Sequence, residues 1–342
     1  MKTTWWRHHI QRWAGADIAI DLGTSNTLLF ARGDGIIMDE PSIVATRRDR
    51  RGKLQIIAVG EEAERMQGRT NEKIRTTQPL RDGVIADLDL AEKMLQSFFK
   101  RLGLHRSFGR PKIVIGAPFD TTALEKRAVQ HAAAAAGAKR IVLLEEPIAA
   151  AIGVGLPLKE PLANMLVDIG SGTTEVVVLS QSGIAHSQSV RIGGQKMDEA
   201  IVRYVRRKYD MDISVKTAEQ AKIAIGNAML PSHEMSVVIK GYHHIRRLPY
   251  SVKLTAQDIH AAIEDSVQAI IKAVKLTLET TEPEMCCDLY EQGIVLAGGG
   301  ALLTNMDRRI AEATQLPVRV SEAAMSAVAL GAGAVLEEVR KL

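Results

Sequence analysis

Two short stretches, Asp21-Leu-Gly-Thr-Ser-Asn-Thr27 and Asp168-Ile-Gly-Ser-Gly-Thr-Thr-Glu175, constrain this chain more than any other feature, because they are variants of one turn. Each begins where an apolar run stops: Asp17-Ile-Ala-Ile-Asp-Leu22 leads into the first and Asn164-Met-Leu-Val-Asp-Ile169 into the second. Both runs read as short buried strands that deliver an aspartate, a glycine and small hydroxylated residues into a tight turn. A second strand follows at once, as Thr27-Leu-Leu-Phe30 and Val176-Val-Val-Leu179. Strand, Gly/Thr hairpin and strand make a phosphate-sized concavity, in which glycines let backbone N–H groups converge and hydroxyls add donors. The aspartate cannot face phosphate unaided. A hydrated divalent cation between carboxylate and phosphate would neutralise the charge.

The turns lie 147 residues apart, counted from Asp21 to Asp168. A chain of 342 residues is too long for one ordinary core and fits about two domains, so a duplicated half is the natural reading. Hydrophobic residues at 46% and charged ones at 25% are ordinary globular values. Net charge is only +4, with basic residues scattered among acidic ones, so no nucleic-acid partner is expected. The only cysteines are the adjacent Cys286 and Cys287, which form neither a disulfide framework nor a CxxC spacing, and a reducing, cytoplasmic setting is the simplest expectation. No apolar run reaches the roughly 18 residues needed to cross a bilayer, and the N-terminus lacks the apolar core of a signal peptide.

All three tryptophans fall in the first thirteen residues, among Lys2, Arg7 and Arg12. On a helix, Trp6, Ile10 and Trp13 share a face, and together with Trp5 they suit the interface of an anionic membrane. A frayed terminus, or one docked on the protein's own surface, is the alternative. The loop Gly103-Leu-His-Arg-Ser-Phe-Gly-Arg110 carries Leu104 and Phe108 among basic residues and reads either as a second membrane-touching point or as an ordinary capped loop.

Strands are expected near 17–22, 27–32, 42–46 and 54–59, then a helix over 88–102 with Leu90, Met94, Leu95 and Phe98 inward. Pro111–Pro118, Thr122–Ala136 and Arg140–Glu145 read as strand, helix and strand, and hence as a parallel β-α-β unit. Glu145-Glu146-Pro147 opens a helix, which places Glu146 at a strand-to-helix junction where it either caps the helix or acts on a bound water. After the second turn the pattern restarts with strands at 164–169, 175–180 and 183–190. Next come helices over 197–209 and 217–227, a hairpin within 233–254 and a long helix over 256–280. His243, His244, Arg246 and Arg247 in that hairpin read as solvated surface. Gly293-Ile-Val-Leu-Ala-Gly-Gly-Gly-Ala301 runs a strand into three glycines and a helix start, where backbone can approach a ligand closely.

Each glycine turn alone is weak evidence, and no GxxxxGK[ST] or GxGxxG fingerprint is present. Together the two turns, Glu146 between them and Gly298-Gly-Gly300 form one constellation. On these residues, and on Pro79-Leu-Arg-Asp-Gly-Val-Ile-Ala-Asp87, Glu145-Glu-Pro-Ile-Ala-Ala-Ala-Ile-Gly153 and Met197-Asp-Glu-Ala-Ile201, the chain resembles the actin-superfamily ATPases. Within them it resembles the bacterial rod-shape MreB family, from Asp17 to about Glu338.

The resemblance implies a duplicated, actin-like (ribonuclease H-like) α/β fold: two facing domains, each with two subdomains, around a nucleotide cleft. The implied layout is a membrane-binding segment over 1–16 and a first domain over 17–153 with a small subdomain inserted at about 32–80. A second domain covers 154–342 with a small subdomain at about 195–255, and the last helix, about 325–340, packs back on the first domain. By position, Gly23, Thr24, Ser25 and Asn26 would form the first phosphate loop, and Gly170, Ser171, Gly172 and Thr173 the second. Asp21 and Asp168 would organise Mg2+ through its waters, while Glu146 and Thr173 position the attacking water. Gly194, Glu219 and Lys222 would border the adenosine and ribose side of ATP, and Gly298, Gly299, Gly300 and Ala301 its far side. The chemistry implied is slow phosphoryl transfer to water.

Three departures from the family pattern stand out: Ser171 where a middle glycine is usual, Gln195-Lys196 in place of an acidic pair, and Ala117-Pro-Phe-Asp120 after its strand. The partners implied are further copies of the chain in a filament, anionic inner-membrane lipids and membrane proteins of the cell-wall elongation machinery. Two readings compete. A DnaK-like chaperone ATPase domain needs an attached substrate-binding domain, and a small-molecule kinase of the same superfamily phosphorylates a metabolite instead of water.

Overall fold

The computed structural model describes residues 17–49, 52–104, 112–138, 140–181 and 183–338. These fall into two compact units, divided at 155/156 and again at 325/326.

In the first unit the run Ile18, Ala19, Ile20 is wholly buried, so this stretch can only be a strand covered on both faces. It forms β1 (Ile18–Leu22), which pairs antiparallel with β2 (Asn26–Ala31), itself paired with β3 (Gly35–Pro41). Next come β4 (Val44–Arg48), β5 (Leu54–Val59), helix α1 (Glu61–Met66), β6 (Ile74–Thr77) and the short hairpin of β7 (Leu80–Arg81) and β8 (Val84–Ile85). Helix α2 (Leu88–Arg101) starts where Asp87 accepts from the Leu90 amide, and it buries Leu90, Met94, Leu95 and Phe98. After β9 (Lys112–Ala117), helix α3 (Ala123–Ala135) opens with a Thr122/Glu125 capping box. Then β10 (Arg140–Glu145) runs directly into α4 (Glu146–Gly153). The main sheet has the order β3-β2-β1-β9-β10, with β1, β9 and β10 parallel.

The second unit repeats this plan. Strands β11 (Asn164–Ile169), β12 (Thr174–Ser180) and β13 (Gly183–Val190) form an antiparallel run, followed by α5 (Gly194–Tyr209), β14 (Met211–Asp212) and α6 (Val215–Ile225). The hairpin β15 (Ser236–His243) and β16 (Leu248–Thr255) joins β14 in a small sheet. Helix α7 (Ala256–Thr280), capped by Thr255 and Asp258, then leads to α8 (Pro283–Gln292) and β17 (Ile294–Ala297). Helix α9 (Met306–Thr314) and β18 (Val318–Val320) close the unit. Its main sheet runs β13-β12-β11-β17-β18, again three antiparallel strands and then two parallel additions. The last helix, α10 (Ala327–Glu338), belongs to the first unit and covers Ala19 and Val114 with Ala332 and Leu336.

Several expectations need correction. Leu104 is only 3% exposed and sits in the same core cluster as Phe98 and Leu102, so it is not a membrane-facing residue. Burying a leucine contributes about 2 kcal/mol, which a lipid-facing pose would have to recover. Phe108, Trp5, Trp6, Ile10 and Trp13 lie outside the described residues. The glycines after β17 lead into a short 3-10 turn, Gly299–Leu302, and the α-helix begins only at Met306. Conversely, α5 begins at Gly194, three residues before the expected start. Among the described residues no helix is long and apolar enough to cross a membrane.

Candidate functional site

The two turns occupy equivalent places. Leu22 pairs with Thr27 at the end of β1–β2, and Ile169 pairs with Thr174 at the end of β11–β12. The residues left to turn the chain are Gly23–Asn26 and Gly170–Thr173 respectively. In the first, a side chain on Gly23 would come within 2.6 Å of the Asn26 carbonyl, so only glycine closes the turn. In the second, the Gly170 amide donates to the Thr173 carbonyl at 2.9 Å.

Each turn is braced from behind. Ser42, between β3 and β4, donates to the Gly23 carbonyl at 2.7 Å, and its hydroxyl lies 2.8 Å from that of the buried Thr27. The Gly83 amide donates to Thr24 Oγ1 at 2.9 Å. Asp82 and Gly83 both have positive φ, so this amide is presented by a tight hairpin turn, which gives the motif Pro79–Asp87 its structural task. In the second unit the bracing comes from the start of α5. The Gly194 amide donates to Gly170 O at 3.0 Å and the Gln195 amide to Ser171 O at 2.8 Å. Amides that a helix start normally leaves without partners are thus spent on the turn's carbonyls, which explains why α5 begins so early. Both backbone groups of Gly194 are engaged inside the protein, because its carbonyl accepts from Lys222 Nζ at 3.0 Å.

The expected neighbours of Asp168 are in place. Asp168 pairs with Ala297 across β11 and β17, and a side chain on Gly298, at φ 80°, would fall 2.4 Å from Asp168 Oδ1 and 2.3 Å from Ile169 O. Glycine is needed there for both conformation and close approach. Gly300 lies against Ile169 in the same manner, and Ala301 is buried. Desolvation pushes the Asp168 carboxyl up to about 6. Asp168 is half-buried, and a partly desolvated carboxylate beside a backbone turn is suited to a divalent ion and its waters. Among the described residues no group of three or more His, Cys, Asp or Glu converges on one point. Magnesium fits such a donor set, since it keeps several waters and uses one or two carboxylates beside phosphate oxygens.

Glu146 is the first residue of α4, with Pro147 behind it, and no side-chain cap bond forms at that end. An acidic group in the first turn still suits the helix dipole, so both readings of Glu146 stand. Its side chain lies over Gly116 of β9, where a Cβ would stand 3.0 Å from Glu146 Cγ. A small concavity lined by Leu22, Gly83, Pro118, Thr121 and Val129 opens beside it. Glu219 and Lys222 are one turn apart on α6. Lys222 makes an ion pair with the buried Asp198 at 2.8 Å, a partner that the sequence reading did not single out.

The MreB/Mbl protein family profile matches residues 15–342. The chain belongs to the MreB/Mbl family. It is 44% identical to the cell shape-determining protein MreB of Escherichia coli K12 over 326 residues, 94% of each chain. It is 40% identical to Mbl of Bacillus subtilis, over 95% of this chain and 97% of Mbl. Among solved structures it is similar to MreB5 of Spiroplasma citri bound to ADP, with a TM-score of 0.89 and 32% identity over 95% of this chain and 97% of that one. MreB5 bound to AMPPNP matches equally well, at a TM-score of 0.89. A MamK double helical filament shares the fold, with a TM-score of 0.77 at 20% identity. The architecture is that of the actin-like MreB proteins, which are cell-shape proteins. Membership of this family sets aside the chaperone-domain and small-molecule-kinase readings.

Proposed function

We propose that the chain binds ATP with magnesium, hydrolyses it slowly, and assembles into filaments at the inner face of the cytoplasmic membrane that organise cell-wall synthesis in rod-shaped cells. The observation that carries this reading is the duplicated Asp-x-Gly turn, built at the same strand end of both main sheets in a family whose relative MreB5 binds ADP and AMPPNP. In this reading Gly23–Asn26 and Gly170–Thr173 form the two phosphate loops, with the amides of Ser171, Gly172 and Thr173 on phosphate oxygens in the second, since the Gly170 amide is held by Thr173 O. Asp21 and Asp168 hold the waters of the magnesium ion, which supplies charge neutralisation at the phosphates. Glu146 and Thr173 orient the attacking water; a glutamate so placed works by positioning more than by basicity. Glu219 borders the adenosine, and Gly298–Ala301 lies against its far side. Trp5, Trp6, Ile10 and Trp13 anchor the N-terminus in an anionic lipid surface, and Phe108 adds a second contact.

Sedimentation of the full chain with ATP and magnesium, with and without anionic liposomes, together with phosphate release, tests the proposal. The expected outcome is nucleotide-dependent pelleting, liposome co-sedimentation and slow turnover. Asp168→Ala should lose ATP turnover and assembly while its unfolding transition stays cooperative. A wild-type chain that neither pellets nor releases phosphate in any nucleotide state would overturn it.

A further inference from the structure

Asp198 is a buried ionisable group that the proposed chemistry leaves without a task. It lies on α5 with its side chain 5% exposed, and its Oδ1 stands 2.8 Å from Lys222 Nζ on α6, whose side chain is 13% exposed. Beyond this ion pair, Oδ1 has no directed hydrogen bond. A buried ion pair is a poor device for stability, since an apolar pair of similar size often does as well. What the pair supplies that leucine and methionine could not is direction. The ammonium also donates to Gly194 O at 3.0 Å, and Gly194 together with Gln195 holds the carbonyls of Gly170 and Ser171. With those carbonyls drawn towards the helix, the peptide planes of the turn are fixed. A Cβ on Gly193 would strike Gly170 O at 2.5 Å and Ser171 O at 2.7 Å, so the helix start and the turn are in direct backbone contact.

We infer that Asp198 is a positioning residue for the second phosphate turn: it anchors the Lys222 ammonium on Gly194 O, and the helix start so fixed sets the peptide orientation of Gly170–Thr173. The inference assigns Lys222 an internal task in place of, or ahead of, a contact with adenosine. Its consequence for nucleotide binding rests on the ATP reading above, whereas its structural part does not.

The test uses the full chain carrying Asp198→Asn, Lys222→Met, or both. In the nucleotide-free protein, amide exchange at Gly194 and Gln195 should quicken by about tenfold in Asp198→Asn, while amides of β1 and β2 keep their wild-type rates. With magnesium present, affinity for ATP should fall by about tenfold while affinity for adenosine, which has no phosphate, is retained. Because the two residues act as a unit, the double variant should be no weaker than either single one. Wild-type exchange rates at Gly194 and Gln195 in Asp198→Asn would overturn the inference whatever the ligand. So would equal losses of ATP and adenosine affinity, which would make Lys222 a direct adenosine contact. If Asp198→Asn does not fold, Lys222→Met, which removes the buried cation, is read by the same exchange criterion. A wild-type chain that binds no ATP would overturn the functional reading, and the exchange result would still decide this one.

Discussion

Asp198 and Asp258 are both buried carboxylates next to a lysine, yet their acidities move in opposite directions. Desolvation pushes Asp198 up to about 6 against the pull of Lys222, and Glu219 and Glu199 push it further. At Asp258 desolvation is outweighed by hydrogen bonds from Lys208, Thr255 and Tyr209, and the carboxyl falls well below its usual range. The signs follow from linkage. Asp198 favours the folded state most below its unfolded pKa, near 3.8, and that advantage is lost as pH rises through about 6. Asp258 contributes above its unfolded pKa and loses its contribution only as pH falls lower still. Between pH 4 and 7 the slope belongs to Asp198 together with Asp168, which is also pushed up to about 6, and replacing Asp198 isolates its share. Denaturant unfolding of wild type and Asp198→Asn across this window should show the wild type losing up to about 3 kcal/mol relative to the variant. Parallel curves would show that the carboxyl is not perturbed. None of this coupling was legible in the sequence. The glycine turns were, because their chemistry is backbone chemistry written in adjacent residues. Their braces, Ser42, Gly83 and Asp198, reach the turns only through the fold.

At the scale of elements, what the sequence revealed depends on how many side chains each element buries. The strands β1, β9 and β11 are nearly continuous buried runs, and the 25-residue α7 buries one face from Ala256 to Thr277. Such patterns are legible as period or as apolar run. Among the elements missed were β3, α1 and α8, which bury one side chain each: Met38, Ala63 and Leu289. An edge strand or a short surface helix with a single inward residue has no period to detect. The small-residue character of α10 was legible, but its cause was not. A Cβ on Gly331 would stand 1.7 Å from Ala149 O, and one on Gly153 would stand 1.9 Å from Ala327 O, so α4 and α10 touch backbone to backbone. Gly331→Ala should force the helices apart at a cost of about 3 kcal/mol, seen as a lowered unfolding midpoint. An unchanged midpoint would mean that the pair relaxes without loss.

At the scale of the molecule, duplication is the organising fact. It was legible from the recurrence of one turn, and the matching strand orders of the two main sheets bear it out. The halves have diverged most in what surrounds those sheets, which is why the offset of the turns was visible and the rest of the repeat was not. Residues 1–16 lie outside the described residues. Deleting residues 1–16 should abolish co-sedimentation with anionic liposomes while ATP affinity stays within about twofold of the full chain, measured by titration on the same preparations. Retained liposome binding would assign the membrane contact to another part of the chain.

The second unit is inserted into the first, leaving it after residue 155 and returning at 326. The exit and the return are neighbours, because Gly153 and Ala327 are in backbone contact. Both chain crossings therefore start from one patch of the first unit, where α4 and α10 touch. Helix α4, a rod of about 12 Å from its eight residues, runs from that patch to Glu146 at its far end. One helix of the first unit thus carries Glu146 at one end and, at the other, the glycine beside both crossings.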